Sequence, residues 1–110
     1  MRSWIKPPII VDEPGDPDVF ESIEDAERYL EPIDVEANRF VAFDGEGRLL
    51  RLTSTPRSVT IEAAEEVPNH GEVVRELLIE FLKNCGSVDP NLSSLSLEEL
   101  AKRSLAFPTR

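Results

Sequence analysis

The chain predicts an α+β fold: a three- to four-stranded antiparallel sheet with helices packed on one face, in the order β-α-β-β-β-α-α. Three observations carry this. Residues 39–63 hold three runs rich in β-formers joined by short links, the pattern of an antiparallel meander. Residues 70–85 place apolar side chains at helical spacing over about half the circumference, a face broad enough to lie on a sheet. Two further segments, starting at Ser22 and Ser96, carry capping signatures ahead of apolar stripes.

In chain order, Trp4 to Val11 is apolar but includes Pro7 and Pro8, which cannot donate ladder hydrogen bonds. The strand there is expected to be short, at a sheet edge, and centred on Ile9-Ile10-Val11. Asp12 to Asp18 contains Pro14, Gly15 and Pro17 and reads as a loop. Ser22 then reads as an N-cap with Asp25 three residues on, and Glu24 and Asp25 complement the helix dipole. Ile23, Ala26 and Leu30, with Tyr29 beside them, form the buried stripe, and Pro32 stops the helix by restricting Glu31. Glu24, Glu27, Arg28 and Glu31 face outward. Glu27 and Glu31 are four apart and repel each other, a small cost to stability.

Arg39 to Asp44 and Arg48 to Thr53 flank Gly45-Glu46-Gly47 as a hairpin. Pro56 breaks the run. Ser58 to Ala63 alternates, with Val59, Ile61 and Ala63 on one face of a half-buried strand. Asn69 is the expected cap of the helix over 70–85, with Glu72 at the third position and Gly86 as a left-handed stop. Val73, Val74, Leu77, Leu78, Phe81, Leu82 and Cys85 form its inner face, leaving Ile79 on the polar side. A last helix over 97–105 turns Leu97, Leu100, Ala101 and Leu105 inward and ends before Pro108.

A chain of 110 residues, 40% apolar and 31% charged, fits a single soluble domain spanning 1–110, divided into an acidic loop-helix segment (12–36), a meander (39–63) and C-terminal helices (70–85 and 97–105). It has no apolar run of ~18 residues to span a membrane. Its N-terminal residues do not form a secretory signal. Cys85 is the lone cysteine, so no internal disulfide forms and a reducing cytoplasm is the expected compartment.

The charge is unevenly placed. The net charge is −10, and residues 12–36 hold eleven acids against one base, Arg28. That segment alone carries −10, and the rest of the chain balances to zero. A sequence pI near 4.5 speaks against nucleic acid and anionic membranes as partners. It favours a basic protein or a cation.

Enzyme chemistry finds little support. Asp12, Glu13, Asp16 and Asp18 crowd one loop, but a calcium loop begun at Asp12 fails at Pro14, Pro17 and Ile23, so no metal is expected. Cys85 lies near a helix C-terminus, where the dipole disfavours a thiolate, and reads as a core residue. His70, the lone histidine, sits in a first helical turn with no acid or nucleophile assigned to it and reads as a surface residue. Phosphate loops, dinucleotide fingerprints and zinc spacings are absent, and no cofactor is expected. A binding protein is expected rather than an enzyme. Its candidate partner-binding residues are Asp16, Asp18, Glu21, Glu24, Glu27, Arg28, Glu31 and Asp34. Tyr29, Phe20 and Ile79 are candidate apolar anchors. The plainer reading is a solvated face that keeps the protein soluble. The other binding reading is a non-enzymatic adaptor, or a module that self-associates through an edge strand.

Three strings carry a family resemblance: Glu13-Pro14-Gly15-Asp16; the run from Val19-Phe20-Glu21-Ser22 through Tyr29-Leu30-Glu31-Pro32 to Ile33-Asp34-Val35; and Phe43-Asp44-Gly45-Glu46-Gly47-Arg48-Leu49-Leu50. Over residues 4 to about 55 the chain resembles immunity proteins of bacterial polymorphic and contact-dependent growth inhibition toxin systems. The resemblance implies a protein that binds and blocks the toxin domain of a neighbouring or sibling cell. Many such toxins are nucleases with basic clefts, which an acidic inhibitor complements. The strings carry no catalytic signature and identify no contact residue.

Overall fold

The apolar run ahead of the acidic segment builds an interior strand. The structure, a computed structural model, describes residues 5–13, 16–37, 39–65 and 67–106. Trp4, Pro14, Gly15 and Pro108, to which sequence reading gave roles, lie outside the described residues. β1 (Ile9–Glu13) pairs with β2 (Asp16–Phe20) on one side and β3 (Val41–Phe43) on the other. The expected edge position is therefore corrected. Pro7 and Pro8 precede the strand and take no place in its ladder.

β4 (Leu49–Ser54) and β5 (Val59–Ala63) complete a five-stranded antiparallel sheet in the order β2-β1-β3-β4-β5. The expected three to four strands fall short because the stretch read as a loop is a hairpin. Glu13 pairs with Asp16, Asp12 with Pro17 and Val11 with Asp18. Pro17 is tolerated because β2 is an edge strand, where a missing N–H need not break a ladder.

Helices cover both faces, not one. Ile9 and Val11 point with Phe20, Leu50 and Ile61 toward α1 (Ile23–Tyr29) and α2 (Pro32–Glu36). Ile10 points with Val19 and Phe43 toward α3 (Gly71–Asn84) and α4 (Leu97–Ala106). Ile9, Ile10 and Val11 are consecutive and all buried. An unbroken apolar run is what a strand covered on both sides requires. The element order is thus β-β-α-α-β-β-β-α-α.

The caps explain where the helices lie. Ser22 Oγ accepts the Asp25 N–H at 3.1 Å and starts α1. Pro32 follows the end of α1, but it also starts α2, where its fixed φ suits the first helical position. The stop was legible, but not the restart. α3 buries Val74, Leu77, Leu78, Phe81 and Leu82. Each contributes about 1.5–3 kcal/mol by leaving water. Ile79 packs against this cluster rather than lying on a polar face, and Val73 is exposed. The cap residue is His70, not Asn69. It makes no side-chain cap bond; its N–H donates to the Gly47 carbonyl at 2.8 Å. Gly86 stops the helix at φ +97°.

Arg75 ties α3 to the turn before α4. Its guanidinium donates to the Leu95 carbonyl at 2.9 and 3.1 Å and also reaches the Ser93 carbonyl. Ser96 Oγ then accepts the Glu99 N–H at 3.2 Å, the cap expected for α4. Among the described residues, no helix is long and apolar enough to cross a membrane.

Candidate functional site

Strand alternation sorts the acidic segment. Glu13, Asp16 and Asp18 share the β1–β2 face with Val11, because paired residues point the same way. Glu13 and Asp16 are directly opposed, a like-charge cross-strand pair that disfavours the hairpin. Above this hairpin, α1 ends at Tyr29 and α2 begins after Glu31. The helical elbow and the hairpin enclose a groove of about 290 Å³. Val11 and Leu30 form its buried floor, and Tyr29 and Phe40 contribute aromatic wall. Glu13, Asp16, Asp18, Glu31 and Asp34 bring five carboxylates to it. Arg39 is the nearby base, with Nε 3.5 Å from Asp34 Oδ1 on an exposed surface.

Tyr29 is held from beneath. Its ring packs against buried Phe20, with centroids 5.1 Å apart and planes tilted by 49°. It is still 54% exposed, and Ile33 on α2 is 71% exposed. The acidic groove therefore lies beside two uncovered side chains on short helices, Tyr29 on the Ser22-capped α1 and Ile33 on α2, the latter outside the groove lining. Aromatic residues fixed in this way can carry much interface energy at little entropic cost.

Of the expected site residues, Asp16, Asp18, Glu31 and Asp34 meet in the groove. Glu21 and Glu24 are exposed but do not line it. Arg28 is exposed and paired with Asp25 at 3.0 Å. Glu27 is turned inward: its Oε2 accepts the Ile61 N–H of β5 at 2.8 Å. Its presence four residues from Glu31 thus has a structural cause. Of the anchors, Tyr29 is available, whereas Phe20 is buried and Ile79 is half-buried in the other core cluster. Glu13, Phe40 and Ile33 were missed. Reading the hairpin would have placed Glu13, since it faces Asp16 across only Pro14 and Gly15. Phe40 and Ile33 have no local signal, because their positions depend on how α2 returns to β3.

Asp12 shows the cost of crowding acids. It points to the α3 side, where partial burial and then the charge of Glu80 raise its pKa above the ordinary 3.8. A raised carboxylate pKa means that ionised Asp12 opposes folding at neutral pH, and that this penalty fades as pH falls through the raised value. Replacing Glu80 by glutamine is expected to stabilise the protein by a few tenths of a kcal/mol, roughly 0.3, at pH 7 and by less near pH 4, given the solvent screening at a half-exposed site. Urea unfolding at the two pH values checks this; an equal gain at both excludes Asp12 as the partner.

The remaining candidates are less directed. His70 Nε2 lies 2.7 Å from Glu65 Oε1, and its ring packs on Phe43 at 5.6 Å, so it is more structural than the surface role expected of it. Cys85 is half-buried against the core. A second groove of about 670 Å³ lies between the β3–β4 turn and α4, but its Glu46 and Glu98 are matched by Lys6 and Arg48. Among the described residues, no group of three or more His, Cys, Asp or Glu is arranged to hold a metal ion. The groove acids are spread along two walls rather than converged on a point. Compared with known proteins, the chain matches no protein-family model, no curated protein and no solved structure.

Proposed function

We propose that this is an immunity protein. It binds and neutralises a cognate toxin domain, a basic nuclease, through the acidic groove and its exposed rim. One observation carries the reading: five carboxylates, three from the β1–β2 hairpin and two from the start of α2, meet around Tyr29 and Phe40. Solubility alone asks for dispersed charge, not for acids opposed across a hairpin beside an uncovered tyrosine ring. The occupant with matching chemistry is a cationic side chain of the toxin, lysine or arginine, seated against the aromatic walls. In this reading the protein works in the cytoplasm, uses no cofactor and performs no catalysis. Inhibition follows from covering the toxin's own basic cleft or a site beside it.

The test is association with the toxin domain encoded by the neighbouring gene. The on-rate should fall as salt rises, because screening removes the steering field. Reversing Glu31 and Asp34 together to lysine should weaken binding about tenfold to a hundredfold, while Glu24→Lys, outside the groove, should do much less. An affinity indifferent to salt and to the double reversal rejects the groove as the contact. The competing adaptor or self-associating reading predicts a homo-oligomer instead. Pro17 on the β2 edge and Glu27 against the β5 edge both stand against strand-mediated self-association.

A further inference from the structure

We infer that Glu27 is a latch on the outer edge of β5 that keeps this strand from pairing with a second copy of the chain. Among the described residues, β5 is the last strand of the sheet and pairs with β4 alone. The ladder between them is closed by Thr55 N–H to the Ser58 carbonyl at 2.9 Å and by Ala64 N–H to the Leu49 carbonyl at 3.0 Å. Antiparallel bonding alternates, so Thr53–Thr60 and Arg51–Glu62 are the pairs that exchange bonds between these ends. Leu52–Ile61 is a non-bonded pair, and the Ile61 N–H points away from β4. That outward N–H is the one Glu27 Oε2 meets, from α1 thirty-four positions earlier in the chain.

The two edges of the sheet are blunted by different means. On β2, Pro17 has no N–H to offer. β5 reads Val59-Thr60-Ile61-Glu62-Ala63, with neither proline nor lysine, so its protection must come from outside the strand. A carboxylate suits the task in two ways. It satisfies the N–H, and, being an acceptor only, it repels the carbonyl oxygen that an added strand would bring there. The occupant excluded is a second β5. Two such strands antiparallel about a two-fold axis through Ile61 would set Thr60 against Glu62 and Val59 against Ala63. Such a pairing has no like charges directly opposed and is self-complementary. The inference does not depend on toxin binding, and it takes Glu27 out of the contact surface.

The full chain carrying Glu27→Ala, Glu27→Gln or the control Glu24→Ala is compared with wild type by sedimentation over a wide concentration range and by amide exchange. Glu27→Ala is expected to form a dimer that dissociates on dilution. In its monomer the Ile61 amide should exchange roughly tenfold faster or more. Glu24→Ala should match wild type. A Glu27→Ala protein with wild-type mass at every concentration, or one that forms only large aggregates, overturns the proposal, as does wild-type protection of Ile61. Should Glu27→Ala fail to fold, Glu27→Gln decides, because it keeps the acceptor oxygen and removes the charge. It should protect Ile61 yet associate more strongly than wild type, and a Gln variant of unchanged mass throughout overturns the latch.

Discussion

Replacing Asp44 by alanine is expected to destabilise the protein by about 3–5 kcal/mol, the cost of stranding the partners of a buried charge. Asp44 is 0% exposed at the end of β3. Its Oδ1 accepts the N–H groups of Glu46 at 3.0 Å and Arg48 at 2.8 Å. Its Oδ2 accepts the Lys6 N–H and Arg48 Nη1, both at 3.1 Å. The same residue closes the turn through its backbone, donating to the Arg48 carbonyl at 3.0 Å and accepting from the Gly47 N–H at 3.2 Å. The hydrogen bonds that Arg48 donates to Glu46 and then to Asp44 raise its pKa further, so its guanidinium stays charged and needs the carboxylate. Alanine would leave three backbone donors and one half-buried cation without this acceptor. Asp44→Asn should lose much of the same energy, since its amide NH₂ must face donors. Glu46→Ala removes the outer, 52% exposed partner of Arg48 and should cost under about 1 kcal/mol. The measurement is the urea midpoint at unchanged slope. Equal losses for Asp44→Ala and Glu46→Ala would contradict a hub at Asp44.

That hub lies in a segment the sequence marks only as a hairpin. The signal was good as far as it went: Gly45-Glu46-Gly47 between two β-rich runs gives β3, β4 and their turn. What cannot be read locally is that Lys6, thirty-eight positions away, supplies a donor to the same carboxylate. The capping serines at 22 and 96 and the glycine stop at 86 were legible because each acts within one helical turn of itself. The missed elements fail for opposite reasons. β2 was hidden by Pro17, whose strand-breaking effect vanishes at an edge, and edge position is a tertiary fact. α2 was hidden by Pro32, a residue that ends one helix and begins another. Placing the helices on one face treated Ile9-Ile10-Val11 as a strand at an edge, whereas its unbroken burial already implied two covered faces.

The acidic segment shows how far charge alone can be pushed. Its sign and its confinement are properties of the sequence, but its division of labour is not. Asp25 follows the α1 cap and pairs with Arg28. Glu27 reaches the β5 edge, Asp12 turns toward Glu80, and Glu13, Asp16, Asp18, Glu31 and Asp34 meet at the groove. Neighbouring acids end on opposite sides because the strand has a period of two and the helix one of 3.6. Counting charges along the chain could not have separated the acids that gather at the groove from those that serve the fold. Asp12 and Glu13 make the point most directly, since they are adjacent in sequence and face different layers of the molecule.

Gly47→Ala is expected to cost at least about 3 kcal/mol, and Gly86→Ala only about 1–2 kcal/mol, although both residues sit in nearly the same backbone conformation. Their φ angles are +96° and +97°, a region in which an added Cβ meets its own carbonyl. That shared penalty is all that Gly86 should show, because nothing lies within 4 Å of a Cβ built there. At Gly47 the same atom would fall 2.5 Å from the Gly71 nitrogen, 2.7 Å from its Cα and 2.9 Å from the His70 carbonyl carbon. All three are backbone atoms at the start of α3, so no rotamer change can relieve the contact. Relief requires the helix start to move away from the β3–β4 turn, and that movement breaks the 2.8 Å bond from the His70 N–H to the Gly47 carbonyl. Losing it leaves an orphan donor at a helix end that has no side-chain cap bond to replace it. The difference between the two variants, read from urea unfolding, therefore isolates the packing of α3 against the turn from the conformational preference of glycine. Equal losses at the two sites would mean that the turn yields freely and that α3 is not seated on it.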